Sequence, residues 1–205
     1  MENIINIFIR SVFLENMVFA YFLGMCSFLA VSKSVKTATG LGIAVVFVQL
    51  ITLPVNYLLE RYILTDGALK WLSPSLAGVD LSFLSFIMFI AVIASIVQLV
   101  EMIVEKFAPA LYNSLGIFLP LIAVNCAILG GSLFMQQKQF LNIGEATSFA
   151  LGSGFGWAIA IISMAAIREK LQYSKIPAPL RGLGIAFIIT GLMGMAFMGF
   201  SGIKL

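Results

Sequence analysis

The chain has 205 residues, of which 61% are hydrophobic and only 10% charged, and its mean hydropathy is +1.08. A soluble domain carries roughly 25% charged residues, so this composition excludes a soluble globular protein and indicates an integral membrane protein. The formal net charge of +3 therefore bears on orientation in the bilayer, and it does not indicate a nucleic-acid partner.

Long apolar runs predict an all-α fold with six transmembrane helices in a single membrane domain, 1–205. Each run is long enough to cross about 30 Å of hydrocarbon at 1.5 Å per residue. In chain order, the predicted spans are 4–31, 40–59, 81–104, 111–134, 146–167 and 181–203. The polar segments that separate them are 32–36, 60–80, the residues around Pro109, 136–139 and 168–179.

Basic residues are unequally divided between the two sides of this arrangement. Seven lie in the loops after spans one, three and five: Lys33, Lys36, Lys106, Arg168, Lys170, Lys175 and Arg181. Five lie on the other side: Arg10, Arg61, Lys70, Lys138 and Lys204. Because cytoplasmic loops carry the excess of Lys and Arg, we expect both termini on the outer side.

Two cysteines stand 100 positions apart in apolar runs. Cys26 and Cys126 each have leucine three residues later and a small residue four residues later. This short match divides the chain into repeats of three spans, about 4–106 and 109–203. Three is an odd number, so the second repeat enters the membrane from the opposite side. The chain is therefore predicted to be a 3+3 inverted repeat whose equivalent positions meet near the midplane.

Both cysteine segments carry residues that disfavour a continuous helix. The first run contains Glu15-Asn16 and Gly24, and the fourth contains Pro120, Asn125 and Gly130-Gly131. Proline removes a backbone donor, and non-helical backbone at membrane depth is tolerated only where protein or a cavity surrounds it. We predict broken helices at both segments; ordinary kinks, which glycine and proline often cause in membrane helices, are the alternative.

The cysteines allow three interpretations: buried packing residues, a disulfide, or metal ligands. Zinc and [2Fe–2S] centres usually take four protein ligands, and this chain offers two thiols and no histidine. If the thiols bind metal, a second copy or a related chain must complete the site. The chain also lacks dinucleotide and P-loop motifs, so any reductant must be oxidised on another subunit.

Two carboxylates in apolar runs are candidates for a cation pathway, Glu15 and Glu101. Glu105 lies four residues after Glu101, on the same helix face, and is better explained as an interfacial residue beside Lys106. Glu101 could also lie at the headgroups. The glycine-rich run 152–156 is interpreted as close helix packing.

The segments 23–33 and 115–130, each containing one cysteine, resemble the two cysteine motifs of the Nqr/Rnf small membrane subunits. Segments 165–170 and 197–202 are also similar, so the resemblance covers essentially the whole chain. Two features favour the Nqr branch. One is the sequence Glu15-Asn16-Met17, and the other is Ser27, where the A-type Rnf protein usually has proline. The A-type Rnf protein is the alternative.

The resemblance implies a membrane subunit of a redox-driven sodium pump in the bacterial inner membrane, where the outer side predicted for the termini is the periplasm. It implies that Cys26 and Cys126 supply two of four ligands to a [2Fe–2S] cluster shared with a homologous D-type subunit of opposite orientation. Flavins, NADH and quinone would then belong to other subunits of the complex, and Glu101 would match a carboxylate associated with sodium transport. A non-redox secondary cation transporter and a purely structural subunit are the rival interpretations.

Overall fold

A computed structural model describes residues 4–64, 84–107, 109, 112, 120–175 and 177–202. Within these ranges the regular structure is helical, which confirms the all-α prediction. The α-helices, numbered here in chain order, are α1 (Ile4–Phe13), α2 (Met25–Val31), α3 (Val35–Leu59), α4 (Ser85–Phe107), α5 (Pro120–Ala123), α6 (Cys126–Lys138), α7 (Ile143–Leu171) and α8 (Leu183–Met198). A π-helical turn, Glu60–Leu64, extends α3, and two 3₁₀ turns, Ala178–Leu180 and Gly199–Gly202, flank α8.

Four stretches of the described chain are long and apolar enough to cross a membrane: Val35–Leu64, Ser85–Phe107, Pro120–Lys138 and Ile143–Leu171. The apolar helices α1 and α8 are shorter, with 10 and 16 residues. At 1.5 Å per residue α1 covers about 15 Å, or half of the hydrocarbon thickness. The four long stretches correspond to the second, third, fourth and fifth predicted spans.

Several predicted boundaries were wrong because distant contacts extend the helices. The second span begins at Val35 and not at Gly40, since the Glu169 carboxylate accepts a hydrogen bond from the Val35 amide at 2.8 Å. The fifth span runs to Leu171, so Arg168 is helical and not in a loop. Its guanidinium instead donates to the Leu29 carbonyl at 2.9 Å, at the end of α2.

The predicted 136–139 separator is also mostly helical, because α6 continues to Lys138. Other sequence-based predictions fall partly outside the described residues: the 60–80 loop beyond Leu64, with Lys70; 81–83 of the third span; much of 111–119 in the fourth span; and 203 and Lys204 at the C-terminal end.

Glycines let α7 pack closely at the centre of the fold. A Cβ atom on Gly152 would lie 2.8 Å from the Phe8 carbonyl oxygen of α1, and one on Gly156 would lie 2.9 Å from that of Val12. On another face of the helix, a Cβ on Gly154 would lie 3.1 Å from the Val46 Cα of α3. These contacts confirm the packing interpretation of the glycine-rich run.

Candidate functional site

The first cysteine lies at the start of α2. After α1 ends at Phe13, residues 14–24 form turns rather than a continuous helix, and α2 begins at Met25. Gly24 precedes α2 with φ +76°, a left-handed conformation that glycine adopts most easily. Cys26 is therefore the second residue of a new helix, and its thiol is free and exposed on this chain.

The second cysteine has an equivalent position. The short helix α5 ends at Ala123, and Asn125 precedes α6 in an extended conformation. The Asn125 side-chain oxygen accepts a hydrogen bond from the Ala127 amide at 3.0 Å, an N-terminal cap. Cys126 is the first residue of α6, and its thiol is also free and exposed. Exposure of both thiols weighs against the interpretation that they are buried packing residues.

The structure brings the two cysteine segments into contact at Gly24. A Cβ atom on this glycine would lie 2.7 Å from Asn125 Oδ1, 3.1 Å from Ala127 Cβ and 2.7 Å from Trp157 Nε1. Residues on both sides of Cys126 therefore touch the residue two positions before Cys26. Trp157 is the central residue of α7, with 14 residues before it and 14 after it (143–156 and 158–171). The junction thus lies level with the middle of the longest helix described.

The two cysteine segments run in opposite directions through this junction. Contacts of α1 with α7 advance together along both helices, from Ile4 with Ser148 to Val12 with Gly156, so α1 is parallel to α7. The contacts of Gly24 with Trp157 and of Leu29 with Arg168 give α2 the same direction.

By contrast, α6 is antiparallel to α7, because its start lies at the level of Trp157 and the Nζ atom of its last residue, Lys138, lies 5.1 Å from the ring centroid of Phe149. Only residues 139–142 connect these two helices, which is typical of antiparallel neighbours. Both helices therefore start at the junction and run from it towards opposite ends of α7.

Asn16 stabilises the interruption between α1 and α2; the sequence indicates that it disfavours a continuous helix, but not which groups it would bond. Its Nδ2 group donates to the Val12 carbonyl at 3.0 Å and to the Gly156 carbonyl at 2.9 Å. Its Oδ1 accepts from the backbone amides of Val18 at 3.0 Å and Phe19 at 3.3 Å. One buried side chain thus satisfies several backbone groups that a continuous helix would have paired. The only signal in the sequence is a polar amide beside Glu15 in an apolar run.

Two buried donors at the junction have no hydrogen-bond acceptor in the described structure. They are Asn125 Nδ2 and Trp157 Nε1, and both residues are at most 1% exposed. Asn125 is oriented by its cap, so the amide nitrogen and not the oxygen is left unpaired. Unpaired donors beside Gly24 create a local environment that favours negative charge.

These thiols do not form a complete metal site. Among the described residues, no group of three or more histidine, cysteine, aspartate or glutamate side chains could hold a metal ion. The donor set that the chain offers at the junction is two thiols. This is half of the ligand set of a [2Fe–2S] cluster.

Glu15 lies apart from the thiols, in an ion-pair cluster. Its carboxylate pairs with Arg10 Nε at 3.0 Å and with Lys138 Nζ at the end of α6. The Glu15 side chain is 14% exposed, and the three charged side chains line a cavity of about 490 Å³. Here the carboxylate charge is already balanced by two cations.

Glu101 is half-buried on α4, while Glu105, one turn later, is exposed. The partners described for Glu15 are Arg10 and Lys138, so its ion pairs do not connect it to Glu101. Among the described ion pairs, none joins the two predicted cation-pathway carboxylates.

Comparison with known families shows the family to which the chain belongs. The sequence model of the family described as "Rnf-Nqr subunit, membrane protein" matches residues 4–204. The chain belongs to this Rnf-Nqr family. The resemblance seen in the cysteine motifs is confirmed, and the chain is a multi-pass membrane protein.

Relatives in the Rnf-Nqr family match over their full length. Proteins named as the E-type subunit of Na(+)-translocating NADH-quinone reductase are 60% identical in Methylococcus capsulatus, 58% in Psychrobacter cryohalolentis and 57% in Pseudomonas aeruginosa. In each comparison, 205 residues align, which is 100% of both chains.

Proposed function

We propose that this chain is a membrane subunit of a Na⁺-translocating NADH:quinone reductase, corresponding to the E-type subunit. The observation that carries the proposal is that two free, exposed thiols lie at the starts of two helices whose segments meet at Gly24, level with the middle of α7. The full-length relatives that carry the E-type name support the same assignment. The chain by itself has no activity, because NADH, flavins and quinone bind to other subunits.

In this proposal Cys26 and Cys126 supply two ligands of an intramembrane [2Fe–2S] cluster. A homologous D-type subunit supplies the other two, which explains why both thiols are exposed on the isolated chain. When bound, such a cluster supplies one-electron transfer. The residues of this chain position the thiolates: Gly24 permits the turn before Cys26, Asn125 caps the helix of Cys126, and Trp157 directs its indole N–H towards the junction.

We further propose six transmembrane spans in a 3+3 inverted repeat, with repeats about 4–106 and 109–203 and both termini periplasmic. The interruptions before α2 and α6, and the opposite directions of these helices, support this arrangement. The α1–α2 segment would form the first span, and α8 with the turn after it would form the sixth. Lipid covers the outward faces, including the exposed Phe187, Leu192 and Met195 of α8.

The proposed coupling between electron transfer and Na⁺ export is electrostatic. A cluster held by Cys26 and Cys126 would place negative charge where the dielectric constant is low, and charges interact strongly there. A nearby cation is therefore favoured whenever negative charge increases at the junction. Glu101 and Glu15 remain proposed members of the cation pathway, although the ion pairs of Glu15 also suit a structural role.

The alternatives have less support. The A-type protein of an Rnf complex shares the family, but the relatives at 57–60% identity carry the name of the quinone reductase. A non-redox secondary cation transporter would need no exposed thiol pair where the two cysteine segments meet.

The proposal is tested by replacing Cys26 with alanine in the assembled complex and measuring two activities. NADH oxidation by a water-soluble electron acceptor should persist, while quinone reduction should be abolished. The reason is that the variant would block electron transfer at a step between the NADH site and quinone. Ser95→Ala is the control, since Ser95 is an exposed hydroxyl on α4 that bonds within its own helix. Quinone reduction by Cys26→Ala at the control rate would overturn the electron-transfer role.

A further inference from the structure

Two amide side chains of α3 are completely buried in the interior of the bundle. Gln49 and Asn56 are both 0% exposed, and they lie seven residues apart, which places them on one face of the helix. Gln49 Nε2 donates to Ser153 Oγ of α7 at 2.7 Å. Asn56 Nδ2 donates to Ser132 Oγ of α6 at 2.8 Å. Each amide therefore links α3 to a serine on a neighbouring helix.

The serines act as acceptors for both amides in the described arrangement. Ser153 donates its hydroxyl proton to the Ala150 carbonyl at 3.2 Å, and Ser132 donates its proton to the Ile128 carbonyl at 3.3 Å. With its one proton used in this way, each serine accepts a hydrogen bond from the amide NH₂ group.

The amide oxygens are consequently left without a donor. Gln49 Oε1 and Asn56 Oδ1 are both buried acceptors with no hydrogen-bond partner in the described structure. A buried polar group without a partner costs about 1–3 kcal/mol. The same arrangement occurs twice on one helix face, and in both cases the unpaired atom is a neutral oxygen. A repeated unpaired oxygen points to a ligand that accepts electron pairs.

Two glycines let the first amide pack closely between α6 and α7. A Cβ atom on Gly131 of α6 would lie 2.7 Å from Gln49 Nε2, and one on Gly154 of α7 would lie 3.4 Å from Gln49 Oε1. Any larger residue at Gly131 would occupy the position of the amide. The absence of side chains at these positions lets a long polar group reach between α6 and α7.

These oxygens lie close to the cysteine junction. Ser153 precedes Trp157 by four residues of α7, a rise of about 6 Å. Ser132 follows Cys126 by six residues of α6, a rise of about 9 Å. The unpaired atoms at the junction are donors, which favour an anion, whereas those at Gln49 and Asn56 are acceptors, which favour a cation. Charges at these separations interact appreciably in low dielectric.

We infer that Gln49 Oε1 and Asn56 Oδ1 are successive coordination positions for a partly dehydrated Na⁺ ion passing between α3, α6 and α7. Hard cations take oxygen ligands, and buried carbonyl oxygens of transporter helices can coordinate Na⁺. Neutral amide oxygens bind the ion without the strong attraction of a carboxylate, which suits an ion that must also leave. This inference rests on the proposed function, since it assigns part of the path of the transported ion.

The test uses the assembled complex in proteoliposomes, with NaCl varied against KCl at constant ionic strength. Gln49→Met and Asn56→Leu remove the oxygens and keep similar volumes. We expect each to raise the Na⁺ concentration for half-maximal quinone reduction about tenfold, equivalent to about 1.4 kcal/mol. The iron content of the complex should stay unchanged. Thr190→Val is the matched control, because Thr190 is buried but bonds only within α8.

A second pair of variants keeps the inference falsifiable if the apolar replacements fail to assemble. Gln49→Glu and Asn56→Asp retain an oxygen at each position and add negative charge, so they should lower the half-saturating Na⁺ concentration. If all variants that assemble match the control, the oxygens hold only water and the inference is wrong. A native complex that accumulates Na⁺ would then leave the proposed function standing, whereas a native complex without Na⁺ uptake would contradict the proposed function itself.

Discussion

Asn16 Nδ2 donates a hydrogen bond to the carbonyl oxygen of Gly156 at 2.9 Å, joining the interruption after α1 to the middle of α7. The two residues are 140 positions apart. Gly156 permits this approach because a Cβ atom there would lie 3.0 Å from the same nitrogen. The bond therefore holds the start of α2, and with it Cys26, level with the centre of the bundle.

Replacing Asn16 by leucine should destabilise the chain by about 2 kcal/mol. The side chain makes four hydrogen bonds, and such bonds within membranes contribute about 0.6 kcal/mol each on average. The measurement is the free energy of unfolding of the purified complex in a detergent titration. Ser11→Ala is the control, since the described bond of Ser11 lies within α1. Equal stabilities of the two variants would remove Asn16 from this role.

Replacing Gly24 by alanine should prevent the two cysteine segments from meeting. The new Cβ atom would lie 2.7 Å from Asn125 Oδ1 and Trp157 Nε1, and the φ of +76° adds strain. We expect the iron content of the purified complex to fall by more than half.

The matched control for Gly24→Ala is Gly182→Ala. Gly182 has φ +99°, but no heavy atom lies within 4 Å of the position of an added Cβ. This variant places a side chain at another positive φ without the collision. If both variants lose the same amount of iron, the loss comes from strain, and the contact between the segments is not required.

Glu15→Gln should destabilise the protein because the variant loses the ion pairs of this carboxylate with Arg10 and Lys138. Adding Lys138→Gln should recover part of the loss, with a coupling of about 1 kcal/mol in a double-mutant cycle of unfolding free energies. Additive effects would show that the Lys138 pair contributes nothing.

The separate cation-pathway prediction requires Glu15→Gln to raise the Na⁺ concentration for half-maximal quinone reduction.

Glu101 and Glu105 provide an internal comparison for the other cation-pathway prediction. Both lie on α4, one turn apart, but Glu101 is half-buried and Glu105 is exposed. We expect Glu101→Gln to slow Na⁺ uptake into proteoliposomes at least several-fold and Glu105→Gln to leave it near the native rate. Equal rates in the two variants would place Glu101 at the headgroups rather than on the pathway.

The residues that define the junction could be predicted from local sequence, but their partners could not. The cysteines, Gly24 and Asn125 stand out because each departs from a plain apolar run. Glu15 looks similar to Glu101 along the chain, yet its pairing with Lys138 joins residues 123 positions apart. Such a pairing depends on how the helices cross, which apolar composition does not determine.

The unpaired oxygens of Gln49 and Asn56 were also beyond sequence-based prediction. Amides in an apolar run predict polar contacts, but the identity of the unpaired atom depends on where the serine protons go. Those of Ser153 and Ser132 are donated to carbonyls of their own helices. Similarly, the start of α3 at Val35 depends on Glu169, 134 residues away.

The central claim is that Cys26 and Cys126 together hold half of a [2Fe–2S] cluster. The most direct measurement is the electron paramagnetic resonance spectrum of the anaerobically reduced complex, recorded beside a Cys26→Ser/Cys126→Ser preparation of equal subunit content. We predict a [2Fe–2S] signal in the native complex that is absent from the double variant. The same signal in both preparations, or none in either together with no iron at this subunit, would contradict the claim.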